Sequence, residues 1–131
     1  MMEQDDGAVG RLRCLVIDCP DPRSLATFYE QLLGLSRTED TDGWVTLGTP
    51  GGSVDVAFQK IDTYIPPRWP DPDAPQQMHV DVLVDDLDIS QAHVIEMGAR
   101  LLQGSDKPIG FRVFADPVGH PFCLVTPEGV S

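Results

Sequence analysis

Basic side chains are scarce in this 131-residue chain: nine Lys and Arg stand against 21 Asp and Glu, a formal net charge of −12. Such a surface repels phosphate backbones and anionic lipid, which argues against nucleic-acid and membrane partners and suits a cationic ligand. Long apolar runs are missing too. No window approaches a membrane-spanning length, and residues 1–10 have neither the basic nor the apolar region of a secretory leader, so a cytoplasmic location is expected. Cys14, Cys19 and Cys123 are an odd number with no CxxC pair, which suggests neither a disulfide framework nor a zinc knuckle and fits a reducing compartment. Gly51-Gly52 joins two strand-like runs and opens no helix, so nucleotide binding is not indicated. Ser24, Ser36, Ser53, Ser90 and Ser105 show no nucleophile-elbow pattern, against a serine hydrolase.

What is there is the size of one domain, long enough to bury a core without disulfides or structural metal. The run RLRCLVIDC over 11–19 predicts a strand buried on both faces. A helix follows, with Asp21 as cap, Pro22 at its first position, a stripe of Leu25, Phe28, Tyr29 and Leu32, and Gly34 as its left-handed close. Three strand-like runs come next, at 35–39, 44–48 and 53–61, parted by Asp42-Gly43 and Pro50-Gly51-Gly52. The order then repeats: a strand over 79–84, a helix over 88–97 closed by Gly98, and strands over 99–103, 111–115 and 121–126. The second helix is the weaker pattern, its stripe being only Leu87, Val94 and Met97 with Ser90 and Gln91 polar. Between the halves, Pro66, Pro67, Pro70, Pro72 and Pro75 forbid a central strand or helix and make a stiff linker that carries Arg68 and Trp69.

The chain therefore reads as an N-terminal tail, 1–10, one domain over 11–127, and a C-terminal tail, 128–131. Within the domain lie module one, 11–62, the proline-rich linker, 63–77, and module two, 78–127. Laying Asp21 on Asp86 sets Cys14 on His79, and the hairpins set Ala57 on Cys123 within about one residue of register.

Three local signatures are DPRSLATFYEQLLGL in the first helix, PPRWPDPDAPQQMHVDVLVDDL from the linker into the fifth strand, and GFRVFADPVGHPFCLV at the end. With the doubled βαβββ order, they resemble the vicinal oxygen chelate superfamily. It comprises glyoxalase I, extradiol dioxygenases and the bleomycin and fosfomycin resistance proteins, and the last two signatures resemble its actinobacterial glyoxalase-like subgroup. The resemblance runs from about 11 to 126. It implies an α+β fold of two curled mixed sheets, each with a helix on its convex face, forming a half-barrel cavity for a small molecule, often beside a divalent metal. It also implies a homodimer, since relatives commonly pair half-barrels between chains.

Metal-dependent members hold their ion with one residue in the first and one in the last strand of each module. Carried over, those positions are Cys14, Ala57, His79 and Cys123. Ala57 has no donor atom, so the dioxygenase, fosfomycin-resistance and glyoxalase I patterns all fail and no cofactor is expected, a divalent metal being disfavoured. A remaining metal set is Cys14, His79 and Cys123, since two thiolates and an imidazole can hold zinc. Against it, isolated buried cysteines usually act as small hydrophobes.

Period two projects Asp55, Ala57 and Gln59 to one face of the fourth strand and Val54, Val56 and Phe58 to the other, under the helices. The candidate ligand-binding residues are then Cys14, Val16, Asp55, Gln59, His79, Asp81, Cys123 and Val125. His79 reads equally as a catalytic acid or base tuned by Asp81 and as a buried histidine satisfied by a backbone carbonyl or that aspartate. His93 and His120 are expected in solvent, and Trp69 as a pin for the linker or a lid over a ligand. Arg112 suits an anionic substrate or a pairing with surface acids.

Three functional classes are left open. One is a metal-free binding protein for a small organic molecule. Another is a glyoxalase-like isomerase or lyase using His79, with or without an atypical metal. The last is a non-catalytic dimeric scaffold.

Overall fold

Asp21 takes an extended backbone and accepts from the Ser24 amide, Pro22 supplies the first helical residue, and Gly34 closes the helix at φ 68°. These local choices set α1 (Pro22–Leu33) between β1 (Cys14–Cys19) and β2 (Ser36–Asp40). β3 (Trp44–Gly48) and β4 (Asp55–Lys60) complete module one. Module two repeats the order with β5 (Val80–Leu83), α2 (Leu87–Glu96), β6 (Arg100–Gln103), β7 (Phe111–Ala115) and β8 (Pro121–Val125). In this computed structural model the described residues are 12–49, 52, 55–68, 71–73, 79–104 and 110–129. The expectations for Val54, Trp69 and the 1–10 tail fall outside them.

Each module forms a four-stranded mixed sheet, in the orders β1-β4-β3-β2 and β5-β8-β7-β6. The ladders repeat as the sequence does. Val16 lies opposite Ala57 in the parallel β1–β4 pair, and Asp81 lies opposite Cys123 in β5–β8. The fold is thus the α+β pair of βαβββ modules expected above, with both sheets open.

One core serves both modules. Val45, Leu47 and Phe58 from the first sheet share it with Leu87, Val94, Phe114, Phe122 and Leu124 from module two. The first helix joins them: the Tyr29 ring lies 5.2 Å from that of Phe58, and Phe28 meets Phe122 edge-on at 5.8 Å. A polar lock lies beside these rings, where the buried Tyr29 hydroxyl donates to Asp116 Oδ2 at 2.8 Å in the β7–β8 turn. Through Phe28 and Tyr29, α1 therefore joins the core faces of both sheets, and the other face of each sheet carries the residues left out of that core.

That layering corrects the reading of the first strand. Val16 and Asp18 are exposed and only Ile17 and Cys19 face the core, because no layer covers the outer face of β1. It also explains the weak stripe of α2. Arg112 is 2% exposed on β7 and donates to Gln91 and Asp88, both at 2.9 Å, so polar residues of α2 face a buried guanidinium. Arg112 pairs with an acid, the second of its two readings. Among the described linker residues no helix or strand forms, and the Tyr64 hydroxyl donates to the Val118 carbonyl at 3.0 Å.

Candidate functional site

Strand alternation divides the candidate residues by face. On β4, Val56 and Phe58 enter the core, leaving Asp55, Ala57 and Gln59 outward as expected. Cys14 lies opposite Asp55, and Gln59 opposite Asp18. On module two, Val80, Val82, Phe122 and Leu124 face the core, while Asp81, Cys123 and Val125 share the outward face with Val113.

The eight residues therefore form two sets of four. Cys14, Val16, Asp55 and Gln59 lie on the outer face of module one; His79, Asp81, Cys123 and Val125 lie on that of module two. On these faces Val16, Leu83 and Phe111 are exposed by 41%, 65% and 47%, while Ala57, Cys123 and Val125 are buried. The chain does not bring the two sets together.

Within module two the grouping is tight. His79 Nε2 lies 3.1 Å from Asp81 Oδ1, and the nearest donor atoms of His79, Asp81 and Cys123 all fall within 4.8 Å of one another. The Cys123 thiol is pushed up to about 11, first by burial and then by the charge and hydrogen bond of Asp81, so it is neutral at physiological pH. Among the described residues this trio is the group able to hold a metal, and Cys14 is not part of it. The four positions of the metal-dependent relatives do not fit an ion here. Ala57 offers no donor, and Cys14 and His79 stand on different faces.

A second constellation escaped the sequence reading. On the outer face of module one the Trp44 indole donates to Thr46 Oγ1 at 2.7 Å, and that hydroxyl donates to Glu39 Oε1 at 2.7 Å. These bonds, with the Arg13 charge, hold the Glu39 carboxyl below its ordinary value despite partial desolvation. The signal was present in WVTLG: with Val45 and Leu47 inward, Trp44 and Thr46 share the face of Ala57 and Gln59.

His93 is exposed as expected, whereas His120 is half-buried, with Nε2 2.7 Å from the Asp18 carbonyl oxygen and its ring against Tyr64. A small open groove of about 80 Å³ between the helices, lined by Leu32, Val82, Val84, His93, Val94 and Met97, lies on the inner side of the second sheet.

A family model described as the glyoxalase-like domain matches residues 14–125, which is nearly all of both modules. The chain belongs to the glyoxalase-like domain family. Its place in the vicinal oxygen chelate superfamily follows, as the signatures implied. Solved structures share the fold at low identity. A glyoxalase/bleomycin resistance protein/dioxygenase family enzyme from Burkholderia phytofirmans PsJN is 18% identical with a TM-score of 0.68, covering 89% of this chain and 98% of that one. A glyoxalase-related enzyme from Fulvimarina pelagi is 16% identical at 0.64, covering 90% and 88%. TnmS3, an antibiotic binding protein from Streptomyces sp. CB03234, is 20% identical at 0.59, covering 92% and 98%. No curated protein matches.

Proposed function

We propose that this glyoxalase-like protein binds a small organic molecule in a cavity closed by two copies of the chain, without the four-position metal site of its metal-dependent relatives. The observation that carries the reading is the division of the site: four candidate residues lie on the outer face of each module, where Val16, Gln59, His79 and Asp81 are exposed. A homodimer that sets the outer face of module one against the partner's module two joins the sets and shields Val16, Leu83 and Phe111. β1 and β5 are sheet edges, so they are free to pair between copies. Few polar groups among small apolar ones suit an organic ligand. The net charge favours a cation, and a relative of the same fold is an antibiotic binding protein. The acidic surface supports a role away from nucleic acid and anionic membranes.

Sedimentation and ligand-stabilisation screening test this together. A dimer is expected, and a specific ligand at 100 times its dissociation constant adds about 2.7 kcal/mol of stability. A monomer at all concentrations sinks the shared cavity; a dimer that no compound stabilises is a scaffold.

The His79–Asp81 contact favours a second reading, a lyase or isomerase in which the aspartate orients the imidazole as acid or base, with Cys123 a third donor for an atypical metal. Elemental analysis of protein purified without chelator decides it: stoichiometric zinc, nickel or iron that His79→Ala removes overturns the metal-free reading.

A further inference from the structure

Arg13, just before β1, reaches Glu39 on β2, the far edge of the same sheet, with its Nη2 3.1 Å from Glu39 Oε1. The contact passes two intervening strands and lays a guanidinium over the outward face of module one. Beneath it Thr46 is only 2% exposed, its hydroxyl tying Glu39 and the Trp44 indole into one unit. Both members of the ion pair remain in solvent, at 69% and 48% side-chain exposure. An exposed pair of this kind adds little to stability and exchanges readily.

A carboxylate fixed by a buried hydroxyl, with an indole beside it, is a receptor for a planar cation: charge-assisted hydrogen bonds at one end, a π-face at the other. We propose that Glu39, Thr46 and Trp44 form the cation-recognising subsite of the cavity, and that Arg13 is a built-in placeholder which the ligand's amidinium or guanidinium group displaces. The proposal rests on the small-molecule reading above and narrows its ligand to planar cations. Asp55 adds to the same face, its Oδ1 lying against Gly48, where a Cβ would stand only 2.3 Å away. Glu39 is held, so it presents a ready acceptor; Arg13 is not, so it can leave.

Isothermal titration calorimetry of the full chain with benzamidine, and with benzamide as its neutral counterpart, tests this. Benzamidine binds, benzamide binds at least about tenfold more weakly, and Glu39→Gln, which keeps the shape, weakens benzamidine by about tenfold or more. Arg13→Ala tightens it by about two- to fivefold, the worth of an exposed pair no longer in competition. A merely structural ion pair predicts no tightening. Equal binding of amide and amidine, indifference to Glu39→Gln, loss of affinity in Arg13→Ala, or no benzamidine binding to either protein each overturns the assignment. Neutral or anionic compounds that still stabilise the protein leave the small-molecule reading standing while the cation subsite falls; if compounds of no charge class stabilise it, both fall.

Discussion

Removing one hydroxyl tests whether the two modules share a core as described. In Tyr29→Phe the ring stays against Phe28 and Phe58, so the change isolates the bond to Asp116 Oδ2 at 2.8 Å. Burial, and then the Asp116 charge, push the phenol well above its ordinary value, so Tyr29 donates at every pH of the assay. Asp116 keeps the Val118 and His120 amides on its other oxygen, at 2.9 and 3.0 Å, and loses its partner on Oδ2 alone. A hydrogen bond to a charged group contributes about 1.5–3 kcal/mol, and a buried acceptor left bare adds to the loss. The expected cost is therefore about 2 kcal/mol, roughly 6–10 °C in Tm for a domain of this size. Urea unfolding should show a lower midpoint at unchanged m, and a double-mutant cycle with Asp116→Ala should give a coupling of about 1 kcal/mol or more. Additive effects, or a single-mutant loss below about 0.5 kcal/mol, would refute the placement of α1 against both modules.

Three further tests bear on local structure and on the thiols. Gly34→Ala should cost about 1–2 kcal/mol in thermal unfolding, because φ is 68° although nothing lies within 4 Å of the added Cβ; Gly43→Ala, equally uncrowded and without a positive φ, is the control and should be nearly neutral. Burial lifts Cys19 and Cys123 to about 11, so iodoacetamide at pH 8 should label half-buried Cys14 first, and Asp81→Asn should speed the labelling of Cys123 by removing a charge that opposes its thiolate. Since the folded chain holds these two protons more tightly than the unfolded one, stability should fall as pH rises from about 9 to about 11; a rise over that range would contradict the burial of both thiols.

Much of this was legible in the residues. Asp21, Pro22 and Gly34 mark α1 because capping and turn chemistry act over a few positions, and the two β-ladders repeat because the chain does. Alternation alone placed Asp55, Ala57 and Gln59 opposite Val56 and Phe58, since the pleat fixes which side chains share a face. The same alternation could have found Trp44 and Thr46, but no pattern along the chain foretold that Arg13 would cross to Glu39, 26 residues away. That contact depends on how a whole sheet is ordered and curled.

The sequence by itself determined the doubled βαβββ order and the family, because periodicity, caps and motif order are local or repeated properties. Tertiary structure alone decided that α1 joins the core faces of both sheets, that Arg112 is buried against α2, and that the eight candidate residues divide between the outer faces of two sheets. Those outcomes depend on which face of each module covers the other, a contest of packing between segments far apart in the chain. Strand periodicity distinguishes the two sides of a sheet and says nothing of what will come to lie against them.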